Sequence, residues 1–307
     1  MGLIEDIIRA LDHSLIISSY KYVLALLVVL YVFIWLYDLY RYGESKKAEI
    51  DVGKSKSEDG TTEKLDGIEY VGELDFENND LLPALEEKPH IPYPGARVTL
   101  AKDPMKAAEQ FYKIVNDRRS VRKFSNRSVS LKLVQQCILA AGTAPSGAHT
   151  EPWRFCVVSS ADVKARVREI IEGEELINYE QRMSKQWTTD LKPLKTNHVK
   201  EYLTTAPCLI LVFKQTYGYK PNGGKKQHYY NEISTSIAVG ILLSALQAAG
   251  LSSLVTTPLN CGPALRNLLE RPSNEKLLVL LPVGYPAADC TVPDLDRKPL
   301  EDLVALY

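Results

Sequence analysis

Sixteen consecutive residues, Tyr22 to Tyr37 (YVLALLVVLYVFIWLY), carry no charge and present apolar side chains on every side. With Leu15, Ile16 and Ile17 before them and Tyr20 and Tyr40 at the flanks, they reach the roughly 20 residues that cross a bilayer, with tyrosines at the interfaces. A buried helix of a globular domain is the alternative, but the segment that follows offers it nothing to pack on. A cleaved signal peptide is another, yet no small-residue cleavage site follows Trp35-Leu36-Tyr37-Asp38. The reading is an N-terminal segment over 1–14 and a single transmembrane helix within 15–40. Arg41, Lys46 and Lys47 follow it, against Arg9 and Lys21 before it, so the rest of the chain is expected on the cytosolic side of a plasma membrane or vesicle.

Behind this anchor the composition changes. Between Ala48 and His90 thirteen Asp or Glu stand against four Lys, too little apolar surface to offset ordering, so residues 41–103 read as an acidic flexible linker. A docking tail for a basic partner is the alternative. The folded domain is then expected over 104–307. A formal net charge of -1 over 307 residues gives no general attraction for nucleic acid, and none is expected as a partner. The five cysteines, Cys137, Cys156, Cys208, Cys261 and Cys290, form no C-x-x-C pair. Reduced thiols are expected, and no metal site. H-E-x-x-H, G-x-S-x-G, P-loop and G-x-G-x-x-G motifs are absent as well.

Asp103-Pro104 opens a run in which Ala107, Ala108, Phe111, Tyr112 and Val115 recur at helical spacing, ending at Asn116-Asp117. Next comes Arg118-Arg119-Ser120-Val121-Arg122, three guanidinium forks and a hydroxyl, a donor set that matches phosphate oxygens. A solvated basic face is the structural alternative. Leu131 to Ala141 forms a second amphipathic helix stopped by Gly142, and Pro145-Ser146-Gly147 is a turn whose backbone N–H groups could line a polar ligand. Trp153 to Ser159 alternates and reads as the first central strand. Glu175 and Tyr179 share a helix face at i, i+4, and Lys200 lies past the Lys192-Pro193 break. Each alone reads as a solvated residue. Together they offer the anion, cation and neutral donor that recognise an amino acid's two charged ends. Ala206 to Phe213 is a continuous apolar run and so a buried strand. A polar loop follows at 222–226. Asn231 to Ala249 is apolar or small all round, a helix for a core or a subunit interface, and Leu277 to Pro286 is the last strand and its exit turn.

The arginine cluster and Ala144-Pro-Ser-Gly-Ala-His-Thr-Glu-Pro-Trp153, one helix apart, resemble the flavin-binding half of the nitroreductase superfamily. With Asn178-Tyr179 and Thr256-Thr257-Pro258-Leu259-Asn260-Cys261-Gly262-Pro263, the wording looks like the iodotyrosine deiodinase family. The resemblance spans about residues 104–303.

It implies an α+β fold with a central mixed sheet flanked by helices, a homodimer centred on the 231–249 helix, and FMN at the dimer interface. It assigns Arg118, Arg119, Ser120, Val121, Arg122 and Arg297 to the phosphate and the adjoining flavin edge, Ser146 and Gly147 to the flavin, and Val255, Thr256 and Thr257 to its far side. Thr257 would hydrogen-bond flavin N5, and a hydroxyl can both donate and accept there. Many deiodinases carry a third threonine where this chain has Val255. The backbone N–H of Ala148 would hold a substrate phenolate, and a lid over about 172–200 would grip the zwitterion through Glu175, Tyr179 and Lys200. His149, a lone loop histidine, reads as structural. The implied reaction is reductive dehalogenation of mono- and diiodotyrosine to tyrosine and iodide, with NADPH as ultimate donor through a separate reductase, since this chain has no dinucleotide fingerprint. The rivals are a generic NAD(P)H nitroreductase and a membrane regulatory subunit using the same fold.

Overall fold

The computed structural model describes residues 2, 83, 85–92, 102–220 and 223–307. The expected anchor, most of the acidic linker and Asn222 of the expected polar loop lie outside the described residues. Among those described, no helix is long and apolar enough to cross a membrane. The chain divides into two units, Met1–Leu81 and Leu82–Tyr307, and every element below belongs to the second.

Helix α1 (Pro104–Asn116) starts where Asp103 accepts a hydrogen bond from the Lys106 N–H at 3.0 Å and Pro104 occupies the first turn, the two N-terminal signals that orphan N–H groups call for. Helix α2 (Leu131–Ala141) buries Val134, Cys137 and Ala141 on one stripe. Then come strand β1 (Trp153–Val158), helix α3 (Ala161–Ile177), a π-turn at Asn178–Arg182, and the short helices α4 (Lys185–Leu191) and α5 (Tyr202–Thr205). Strand β2 (Cys208–Gln215) is followed by a two-stranded pair, β3 (Tyr217–Tyr219) with β4 (Lys225–Gln227). Helix α6 (Asn231–Ala248), β5 (Ser252–Ser253), α7 (Gly262–Leu268) and β6 (Glu275–Gly284) complete the order.

The main sheet runs β1-β2-β6-β5, and each neighbouring pair is antiparallel. It is mixed only through the arginine segment, where Ser120 pairs in parallel with Ser253. Strand β2 explains its unbroken apolar sequence. Leu209, Leu211 and Phe213 pack with Val167, Ile171 and Leu203 on one face, while Cys208, Ile210 and Val212 pack with Val134, Val239 and Leu242 on the other. Both faces are covered by helices, so neither side of the strand can be polar.

One expectation is corrected here. Trp153–Val158 stands at an end of the sheet, because β2 and β6, buried on both faces, take the middle. The alternation of β1, with Arg154 exposed, belongs to a half-covered strand.

Candidate active site

The arginine segment is strapped to the sheet by its backbone. The Val121 N–H donates to Ser253 O at 3.1 Å, Ser125 N–H to Tyr285 O at 2.9 Å and Ala287 N–H to Lys123 O at 3.0 Å. Val121, 6% exposed, turns its side chain into the core. Its neighbours turn the other way, and Arg118, Arg119, Ser120, Arg122 and Arg297 line one cavity of about 220 Å³ with Leu194. Val292, Pro293 and Leu295 contribute the rest of the wall. Arg297 Nη2 donates to Arg118 O at 3.0 Å, and Arg119 Nη2 donates to Pro293 O. The two strands of chain carrying the arginines are thereby tied together. Burial, and then the charge of Arg297, push the Arg118 guanidinium below its ordinary value. Cations crowded in one cavity repel until an anion shares them, and forked donors match phosphate best.

The Pro145-Ser146-Gly147 turn leads into a 3₁₀ turn at Gly147–His149. Ser146 Oγ accepts from the Glu151 N–H at 3.0 Å, leaving the hydroxyl proton for another acceptor. A Cβ on Gly147 would stand 3.0 Å from Tyr229 O, so glycine lets the chain before α6 lie close against the turn. Ala148, His149 and Glu151 all take left-handed φ values, 47°, 49° and 48°, which non-glycine residues adopt at a cost usually tied to function. Ala148 is exposed. His149 is exposed too, with Nε2 4.0 Å from the Glu151 carboxylate, a surface contact.

Residues 254–256 run antiparallel along β6, the Leu254 N–H to Pro282 O at 3.3 Å and the Thr256 N–H to Leu280 O at 2.9 Å. Thr256 Oγ1 also donates to Leu280 O, at 3.0 Å. Its hydroxyl therefore serves the fold. Val255 and Thr257 alternate to the exposed side. Since Ser253 pairs with Ser120, Thr257 stands only four residues from the arginine segment's anchor point.

The lid residues converge. Lys200 Nζ lies 3.0 Å from Glu175 Oε2, the two side chains only 9% and 14% exposed, and 5.4 Å from the centre of the Tyr179 ring. Glu172 fixes this arrangement from below. Its Oε1 accepts the Lys200 N–H at 2.6 Å and Arg168 Nε at 2.8 Å. The simple i, i+4 picture needs amending, because α3 ends at Ile177 and Tyr179 sits in the π-turn, where Met183 N–H reaches back to Asn178 O at 2.8 Å. Such turns add a residue to the helix and recur at functional sites. Burial raises the Tyr179 phenol, Glu175 adds to the rise, and a hydrogen bond with Thr196 and the charge of Arg122 oppose it. Arg122 and Leu194 thus bring the lid to the arginine cavity.

The structure joins the predicted residues into two neighbouring groups. Arg118, Arg119, Ser120, Arg122 and Arg297 form one; Glu175, Tyr179 and Lys200 form the other. Val121 stands between the arginines with its side chain in the core. Sequence reasoning misses Glu172, Asn178, Leu194, Val292, Pro293 and Leu295. The only hint in the sequence was the Asn178-Tyr179 pair.

The Nitroreductase family model matches residues 115–285. The chain is 60% identical over 243 residues to iodotyrosine deiodinase of Drosophila melanogaster, covering 78% of this chain and 82% of that one. It is 52% identical over 269 residues to iodotyrosine deiodinase 1 of Homo sapiens, covering 84% and 92%. Among solved structures it resembles oxidized iodotyrosine deiodinase bound to FMN and 3-iodo-L-tyrosine. That match has a TM-score of 0.54 and 30% identity, and covers 64% of this chain and 97% of that one.

Proposed function

The chain belongs to the iodotyrosine deiodinases of the nitroreductase family, and from that premise we propose that it removes iodine reductively from mono- and diiodotyrosine, with FMN as cofactor. A carbon–iodine bond breaks and a carbon–hydrogen bond forms as two electrons and a proton enter and iodide leaves. Bound FMN supplies the electrons. The observation that carries the reading is the buried Glu175–Lys200 pair beside Tyr179, next to a cavity lined by four arginines.

In this reading Arg118, Arg119, Arg122 and Arg297, with Ser120, would hold the phosphate end of FMN, and Ser146 and Gly147 would contact its ring system. An amino acid entering the lid exchanges the one Glu175–Lys200 ion pair for two, its ammonium on Glu175 and its carboxylate on Lys200. Tyr179, a neutral phenol that burial pushes further from ionisation, donates to the carboxylate. An ortho iodine makes the phenol more acidic, and the Ala148 N–H receives the phenolate. Closure of the lid over the ring excludes water and strengthens each of these contacts. Thr257, on the exposed side, would offer flavin N5 a hydroxyl that can either donate or accept.

The rest of the assembly is part of the same proposal. A homodimer packs through α6 and α1, where Ile237, Gly240, Ile241, Ala245 and Phe111 line an apolar groove of about 430 Å³. Residues 15–40 anchor the chain in a membrane by a single span, residues 41–103 tether the 104–307 domain, and the catalytic part faces the cytosol. NADPH supplies electrons through a separate reductase.

Titration of the purified, FMN-loaded protein with diiodotyrosine tests the reading. The expected result is saturable quenching of flavin fluorescence and release of iodide on reduction. No quenching, together with brisk turnover of a nitroaromatic, would overturn it.

A further inference from the structure

Asn178 lies between the lid and the turn that follows Thr257, and belongs to neither group above. It is 1% exposed, and its amide makes three side-chain hydrogen bonds. Nδ2 donates to Glu175 Oε1 at 3.4 Å, on the carboxylate oxygen that Lys200 does not hold. Oδ1 accepts from Arg182 Nη1 at 3.0 Å and from Asn260 Nδ2 at 3.4 Å. Arg182 in turn reaches Glu174 at 2.7 Å. Asn260 sits in a left-handed conformation, φ 63°, three residues beyond Thr257. A second observation agrees that the lid stem rests on this turn. Burial, and then the charges of Glu174 and Glu175, push the neighbouring Cys261 thiol up to about 12.

We propose that Asn178 is a positioning residue that couples the lid to the flavin-facing loop: its donor side sets Glu175 for the substrate ammonium, and its acceptor side holds the Asn260 turn that carries Thr257. The inference rests on the deiodinase reading and adds to it a physical link between substrate capture and the hydroxyl at the cofactor. Asparagine suits the place because one planar group donates at one end and accepts twice at the other. Aspartate would keep the acceptors and set a carboxylate against Glu175.

The two arms can be cut separately. Asn178→Asp keeps the acceptor for Asn260 and Arg182 but repels Glu175. The expected result is a rise of about tenfold in KM and in the Kd for diiodotyrosine read from flavin fluorescence, with kcat within about twofold. Asn260→Gly keeps the left-handed backbone and removes only the amide. The expected result is a fall of about fivefold in kcat with Kd within about twofold. In Asn178→Ala both parameters move, and adding Asn260→Gly lowers kcat no further, as a shared connection requires. If Asn178→Ala does not fold, the split between the other two variants decides. Variants that shift neither parameter or the same one, or a double variant whose kcat loss is the product of the single losses, would overturn the coupling. A wild-type protein that binds no diiodotyrosine sinks the functional reading instead, so the two failures are distinct.

Discussion

The arginine cavity and the lid are built on opposite electrostatic plans. The cavity collects cations of one sign, three of them within five residues, on backbone fastened to the sheet at Ser253 and Tyr285. The lid sets one anion against one cation, Glu175 and Lys200, brought together at 3.0 Å by the end of α3 and a loop that Glu172 pins. A cluster of like charges is stabilised by any suitably shaped anion, so it provides affinity with little choice. A neutral buried pair is indifferent to a lone ion of either sign and gains only from a ligand that brings both. Cofactor retention and substrate selection should therefore be separable by mutation, each residing in its own group.

The sharpest way to break that separation is Lys200→Ala. Glu175 is then left buried without its cation, a change worth about 3–5 kcal/mol in comparable pairs. The expected result is a weakening of diiodotyrosine binding by roughly 100-fold or more, with FMN content unchanged. Flavin fluorescence titration measures the first and absorbance of the purified protein the second. Loss of FMN in this variant would show that the two groups are one unit. The converse is Arg297→Ala, which removes a donor from the cavity and frees the Arg118 carbonyl it holds. Charge-assisted hydrogen bonds contribute about 1.5–3 kcal/mol, so FMN should dissociate roughly tenfold to a hundredfold more readily. Diiodotyrosine affinity of the protein that remains loaded should not change.

How much of each region could be read from the sequence follows from the same contrast. The arginine segment is local, so its residue types announce a phosphate end before any fold is known. Helices α1, α2 and α6 are equally legible, because the cap and stripe of α1, the stripe of α2 and the all-round apolar run of α6 each lie within a single window. The lid was harder. Its charges look solvated in a run that also holds Glu172 and Glu174, and only the fold shows that Glu172 is spent on the Lys200 backbone. Asn178 gave no periodic signal, since its partners Glu175 and Asn260 include one 82 residues away. Leu194 in its 3₁₀ turn and Val292, Pro293 and Leu295 in a loop become cavity wall by tertiary packing alone. The end position of β1 was misread because strand order is a property of pairing between segments.

A smaller effect is expected at Tyr179. Burial raises its phenol above the ordinary value of 10.0, so between pH 6 and pH 9 the group stays protonated folded or unfolded and contributes nothing to pH dependence there. Tyr179→Phe should weaken diiodotyrosine binding about fivefold, one hydrogen bond's net contribution, and leave the midpoint of the affinity–pH curve where it was. A moved midpoint would mean that Tyr179, rather than the iodophenol, titrates in that range.

Salt should produce the smallest change and the finest comparison. Going from about 0.1 M to about 1 M ionic strength shortens the screening length from about 10 Å to about 3 Å. In the proposed function several cations around the cavity hold the phosphate end of FMN, and attraction of that kind is screened. Glu175 and Lys200 lie 3.0 Å apart and are mostly buried, inside even the shorter length and away from mobile ions. FMN dissociation should accordingly rise several-fold with salt, while diiodotyrosine affinity of loaded protein changes by less than about twofold. Equal salt slopes for both ligands would mean that the lid's charges meet their ligand in water and that burial of the pair is not what selects the zwitterion.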